Sequence, residues 1–171
     1  MQSNTGFRYS ADLPYPPVKA EAKNLIYARA MLDNVGGSNS EMTAISLYMY
    51  NQLISEAYEE LAQVFRNVSI VEMHHLEIFG GLARQLGEDP RLWTHMGRGK
   101  RYWSGGYNQY FTTVPQMLQY ILKGEHAAID KYSRQASAIR DANVVENLKR
   151  IIMDEQLHVD IFSQLLQKYG R

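Results

Sequence analysis

Apolar residues recur three and four apart along three long stretches of the chain. Phe65, Val68, Phe79, Leu82 and Leu86 make the first stripe; Val114, Leu118, Ile121, Ala128, Tyr132, Ala136 and Ile139 the second; Val144, Leu148, Ile151, Phe162, Leu165 and Tyr169 the third. That spacing is one face of an amphipathic α-helix. Each stripe carries acid where an apolar side chain is due: Glu72 with His75, Glu125, and Glu155 with His158. A shorter helical pattern runs from Lys19 to Val35 and stops at Gly36-Gly37, after which "SNSE" restarts a helix with Ser38 three before Glu41, as in a capping box. Residues 1–18, with three prolines in "LPYPPV", read as an extended arm rather than a packed element.

The second half repeats the first. "SEMTAISLY" from Ser40 matches "GEHAAIDKY" from Gly124, and the step from Glu41 to Glu125 is 84 residues while that from His75 to His158 is 83. Each half is therefore a helical hairpin. Residues that meet across antiparallel helices lie equidistant from the loop, so Glu41 and Glu72 place one turn near Glu56, with Ser55 as N-cap. By the same reasoning Glu125 and Glu155 place the other at Arg140, beside the capping-box-like pair Asn143 and Glu146. Between the hairpins, residues 87–113 are rich in Gly and aromatics and lack a helical period. Those 27 residues easily span a bundle roughly 38 Å tall, at 1.5 Å per residue. The expected fold is all-α: a four-helix bundle of two hairpins with one long crossover over residues 38–171, preceded by an arm and an extra N-terminal helix over 1–37, in a single domain.

Composition narrows the chemistry. The 171 residues suit one domain, and eighteen basic against eighteen acidic side chains give no electrostatic attraction to nucleic acid or an anionic membrane. No cysteine is present, so disulfides, thiolate metal sites and thiol catalysis are excluded, and any metal is held by nitrogen and oxygen. No apolar h-region or membrane-length run occurs, which points to a soluble cytoplasmic protein. "RGKR" at Arg98–Arg101 is too short for a nucleic-acid site, and His74, His95 and His126 fall off the stripes and read as surface or structural residues.

Glu and His at i, i+3 project from one helix face and can bind one ion from adjacent corners. With eleven Glu and five His, about 0.3 such pairs are expected by chance, so two copies in a repeat, each on a buried stripe, carry weight. No Lys or Arg occupies those stripes nearby, and four ionised carboxylates in an apolar interior are prohibitively costly without compensating charge. Two divalent cations balance them. The expected metal ligands are Glu72 and Glu155 as bridging, and catalytic, carboxylates, His75 and His158 as one nitrogen per ion, and Glu41 and Glu125 as terminal carboxylates. Such a donor set suits manganese or iron. Tyr48 and Tyr132, seven after Glu41 and Glu125, either hydrogen-bond those ligands, donate electrons, or are core tyrosines.

The set Glu41, Glu72-x-x-His75, Glu125 and Glu155-x-x-His158 resembles the ferritin-like dimetal-carboxylate superfamily and is similar to rubrerythrins, bacterioferritins and manganese catalases. "SEAYEELAQVF" also resembles rubrerythrin-type domains, and the likeness covers roughly residues 38–168. "DEQLH" resembles the DExxH of diiron oxygenases, which implies that Asp154 orients a ligating His; an ordinary surface acid is the other reading. Rubrerythrins usually carry a further Glu three after the terminal carboxylate of the second hairpin; here that position is Ala128, with Ala44 as its counterpart, and a cysteine-ligated iron domain is absent. The resemblance implies an oxidoreductase with two divalent ions (Fe or Mn) acting on hydrogen peroxide or dioxygen in oxidative stress, as a homo-oligomer of two or more copies. Disproportionation of peroxide needs no electron donor, whereas a peroxidase needs a separate one. A ferroxidase that stores iron in a hollow oligomer, and a structural metal-binding protein, are the alternatives.

Overall fold

The computed structural model describes residues 5–170. Five α-helices, α1 (Leu25–Gly36), α2 (Glu41–Ile54), α3 (Glu59–Leu86), α4 (Val114–Ala138) and α5 (Ala142–Tyr169), carry the fold. The pairs α2–α3 and α4–α5 are the two antiparallel hairpins, and α1 packs along α3. The stripes face inward: Phe65, Val68, Phe79, Leu82, Leu118, Ile121, Leu148, Ile151 and Phe162 are all buried. They divide into two apolar clusters. One joins Met31, Leu32 and Val35 of α1 to Phe79, Leu82, Leu148 and Ile151; the other joins Leu47, Phe65 and Val68 to Leu118, Ile121, Phe162 and Leu165. Along α3 the residues between the clusters are Glu72 and His75, and along α5 they are Glu155 and His158, so a polar layer lies between two apolar ones.

Several helix ends differ from expectation. The first helix begins at Leu25 rather than Lys19, because Asn24 caps it, accepting from the Ile26 and Tyr27 amides at 3.0 and 3.1 Å. Ahead of it, the Ala20 and Glu21 amides donate to Gln85 and Asp141 of neighbouring helices instead of to their own helix. Ser40, not Ser38, caps α2, accepting from the Thr43 amide; Glu41 is then the first helical residue and its side chain turns into the bundle rather than closing a capping box. Ser55 ends α2 rather than opening α3. Asp141, not Asn143, caps α5, accepting from the Asn143 and Val144 amides.

The crossover contains a small antiparallel hairpin, β1 (Trp93–Met96) and β2 (Gly99–Tyr102), with Trp93 opposite Tyr102 and a turn through Gly97 at φ +59°. Four-residue strands are too short to leave a period in the sequence. β1 lies hard against the end of α1: a Cβ on Gly36 would stand 2.6 Å from the Trp93 amide nitrogen, a contact only glycine permits.

Residues 5–18 form neither helix nor strand, as expected of the arm, whose residues 1–4 lie outside the described residues, yet they are packed. This segment lies along α5, where Arg150 donates through Nε to the Leu13 carbonyl and through Nη2 to the Ala11 carbonyl, each at 2.9 Å, while Asn147 donates to the Pro17 carbonyl at 3.1 Å. The arm has no ladder of its own, so its carbonyls are satisfied by α5 side chains. No helix among the described residues is long and apolar enough to cross a membrane.

Candidate metal centre

The polar layer gathers Glu41, Glu72, His75, Glu125, Glu155 and His158, each at most 4% exposed. The i, i+3 spacing on α3 and α5 brings each Glu and His to one face, and the hairpins bring Glu41 of α2 and Glu125 of α4 opposite them. Two overlapping groups result. Glu41, Glu72, His75 and Glu155 offer one donor atom each within 4.8 Å of one another, and Glu72, Glu125, Glu155 and His158 do the same. Glu72 and Glu155 belong to both. His75 Nδ1 lies 2.8 Å from Glu72 Oε2 and 3.3 Å from Glu155 Oε1, and His158 Nδ1 lies 3.0 Å from Glu72 Oε1 and 3.4 Å from Glu155 Oε2.

Both imidazoles turn Nδ1 to the carboxylates, and what holds Nε2 decides their protonation. His158 Nε2 faces the Tyr9 backbone carbonyl at 2.9 Å. A carbonyl only accepts, so Nε2 carries the hydrogen and, in the neutral ring, Nδ1 presents its lone pair to the site. His75 Nε2 faces Asp154 Oδ2 at 3.0 Å with the same result. Asp154 is fully buried and is not a surface acid. It accepts from Tyr15 Oη at 2.5 Å, the Ala11 amide at 2.7 Å and Arg150 Nη1 at 2.6 Å. Burial pushes its carboxyl up, but these bonds and the one from His75 outweigh burial and hold it down at about 2.

On the opposite side, Tyr48 donates to Glu125, and Tyr132 donates to Glu41 Oε1 at 2.6 Å. Both are buried, and each holds a proton against a glutamate of the layer. Without ions the layer neutralises itself. Burial, then the negative charge of Glu72 and Glu155, raises the Glu41 and Glu125 carboxyls well above their usual range. Burial pushes both imidazoles down, but hydrogen bonds to Asp154, Glu155 and Glu72 at His75, and the negative charge of Glu72 beside His158, raise them overall. Protons thus stand where cations would otherwise balance the charge.

Two observations favour a metal at this place. The donors are carboxylate oxygens and imidazole nitrogens with their outer nitrogens anchored, as ligating histidines require. In addition, His158 Nδ1 and Glu72 Oε1 are buried without a hydrogen-bond partner, although they face each other. Buried polar atoms left this way are rare unless an ion or water satisfies them.

Sequence reading missed the residues behind the histidines. Arg150 is a buried cation beside the third stripe, contrary to the expectation of none nearby; it pairs with Asp154 and with none of the four glutamates. Its i, i+4 spacing to Asp154 was the available signal. Lys131, on α4, reaches Asp33 at 3.4 Å and the Asn39 carbonyl, not a glutamate of the layer. Nothing local marked Tyr9 or Tyr15. His74 pairs with Glu77, His95 with Glu88, and His126 is exposed; all three stay outside the layer.

A cavity of about 310 Å³ opens between α2 and α4 and reaches Glu41, Glu72, Glu125 and Glu155. The centre is thus approached from the carboxylate side and closed by the arm on the histidine side.

The chain matches the family model described as Rubrerythrin over residues 37–166. No curated protein matches it significantly. Among solved structures it is similar to two crystal structures of KatB, a manganese catalase from Anabaena, one of them from strain PCC7120. In each case the TM-score is 0.83 at 20% identity, covering 94% of this chain and 80% of that one. That likeness bears on fold, and it agrees with a ferritin-like bundle. The family match runs from the start of the first hairpin nearly to the end of α5 and includes all six residues of the polar layer, so the chain belongs to the rubrerythrin family.

Proposed function

We propose that this chain is a non-haem dimetal oxidoreductase, with manganese or iron, that acts on hydrogen peroxide in the manner of a catalase. The observation that carries the reading is the sharing of Glu72 and Glu155 between two four-residue donor groups. Glu41 and His75 would complete one ion's ligands, and Glu125 and His158 the other's. When bound, the pair of ions would supply one-electron redox change at each metal and positive charge to attract peroxide. The remaining residues position and protonate. Tyr48 and Tyr132 hold protons against the terminal carboxylates, at the cavity end of the layer. Asp154 and the Tyr9 carbonyl keep each imidazole's hydrogen on Nε2. The similarity to a manganese catalase supports peroxide as substrate.

Protein loaded with Mn(II) or Fe(II) is expected to bind two ions per chain and to evolve oxygen from hydrogen peroxide; failure with both metals overturns the reading. Cytoplasmic location and a homo-oligomer belong to the same proposal. Asp154→Asn keeps the shape but weakens the acceptor for His75 Nε2, so metal affinity should fall about 10–100-fold. A chelator competition assay reads the loss, and unchanged circular dichroism shows that the bundle persists.

A further inference from the structure

The cavity between α2 and α4 is larger than hydrogen peroxide needs. It measures about 310 Å³, whereas a water takes up about 30 Å³ of liquid and peroxide adds one oxygen to that. Its wall is mixed. The four glutamates lie at the inner end, and Ala44, Leu47, Ile121 and Ala128 contribute apolar wall. Ala44 and Ala128 stand three residues after Glu41 and Glu125 in the two repeats, and their small side chains leave open the space one turn beyond each carboxylate. Ser38, Asn39, Asn108 and Lys123 line it as well, but the exposed wall is mostly apolar, and a mostly apolar pocket of this size with a few polar groups suits a small organic molecule with a polar head. Water and hydrogen peroxide gain little from the apolar wall, while a hydrocarbon body gains about 0.8 kcal/mol per buried methylene.

We infer that the cavity takes organic hydroperoxides, ROOH with a small alkyl or aryl body, presenting the O–O–H head to the polar layer. The inference rests on the peroxide chemistry proposed above and extends its substrate class. The reaction balances with hydrogen peroxide as reductant: ROOH and H2O2 give ROH, H2O and O2. The O–O bond of the hydroperoxide breaks and takes up two electrons and two protons, forming alcohol and water. Both O–H bonds of hydrogen peroxide break to supply them, and dioxygen leaves.

The test uses cumene hydroperoxide as substrate and its alcohol, 2-phenyl-2-propanol, as a ligand for the metal-free protein. Calorimetry should detect the alcohol binding to metal-free wild type, and Ala128→Phe, which fills the cavity, should weaken it at least about tenfold. With metal-loaded protein, one alcohol should form per hydroperoxide consumed, and the ratio of the hydroperoxide rate to the hydrogen peroxide rate should drop by a similar factor in the variant. Ala44→Leu, on the facing helix, repeats the experiment should Ala128→Phe fail to fold. Hydrogen peroxide turnover without cumene hydroperoxide turnover overturns the inference and leaves the catalase reading standing. Failure with hydrogen peroxide sinks the catalase reading, and alcohol binding to the metal-free protein then decides the cavity's occupant by itself: binding that both variants weaken upholds it, and no binding overturns it.

Discussion

Glu72→Ala should empty both metal positions at once. Glu72 contributes to each four-residue group, with Oε2 beside His75 Nδ1 and Oε1 beside His158 Nδ1, so one truncation removes a donor from each ion. Bound metal is expected to fall from two ions per chain to less than one. Peroxide turnover should fall by more than about 100-fold, beyond the 10–100-fold typical of residues that only support ligands. Glu41→Ala is the control, because Glu41 belongs to one group alone and its loss should spare the other ion. Elemental analysis of the two proteins after identical loading compares them. Equal occupancy in both would show that Glu72 is not shared. The metal-free Glu72→Ala protein should remain folded, since an imidazole left without this counter-charge can release its proton and stay buried as the neutral ring.

Arg150→Met should produce the largest loss of stability. Asp154 is fully buried and Arg150 is its cationic partner, while the same guanidinium holds the Leu13 and Ala11 carbonyls and lies 4.1 Å over the Tyr15 ring. Removing one member of a buried ion pair costs about 3–5 kcal/mol, because the other is left charged without compensation. At about 2–4 °C per kcal/mol for a chain of this size, the midpoint of thermal unfolding should drop by roughly 6–20 °C. Calorimetry of the metal-free protein measures this without interference from bound ions. A drop under about 1 kcal/mol would mean that His75, Tyr15 and the Ala11 amide hold the Asp154 charge unaided.

The bundle and the polar layer were legible in the sequence for one physical reason. A helix repeats its face every three to four residues, so six polar groups gathered into one buried layer must leave a spaced pattern, and the internal repeat states it twice. Caps were less legible. "GGSNSE" offers three candidates within three residues, and which one caps depends on where the backbone turns, so Ser40 displaced Ser38. The arm was the least legible. Its bonds to α5 join residues 130 to 149 apart in sequence, and several use backbone carbonyls, which every residue type possesses. Arg150 was hidden for the same cause: beside Lys149 it reads as half of a solvated basic pair, and only the arm lying over it makes it interior.

The acceptor for His158 belongs to the main chain of residue 9. Side-chain replacement at that position leaves the oxygen in place, so selection can relax the identity of the residue while the interval between residue 9 and Tyr15 stays fixed. A one-residue insertion or deletion within that interval would slide the carbonyl off the imidazole or pull the phenol off Asp154, whichever end gave way. Between the residue 9 carbonyl and the Tyr15 phenol, length rather than lettering is what this segment has to preserve.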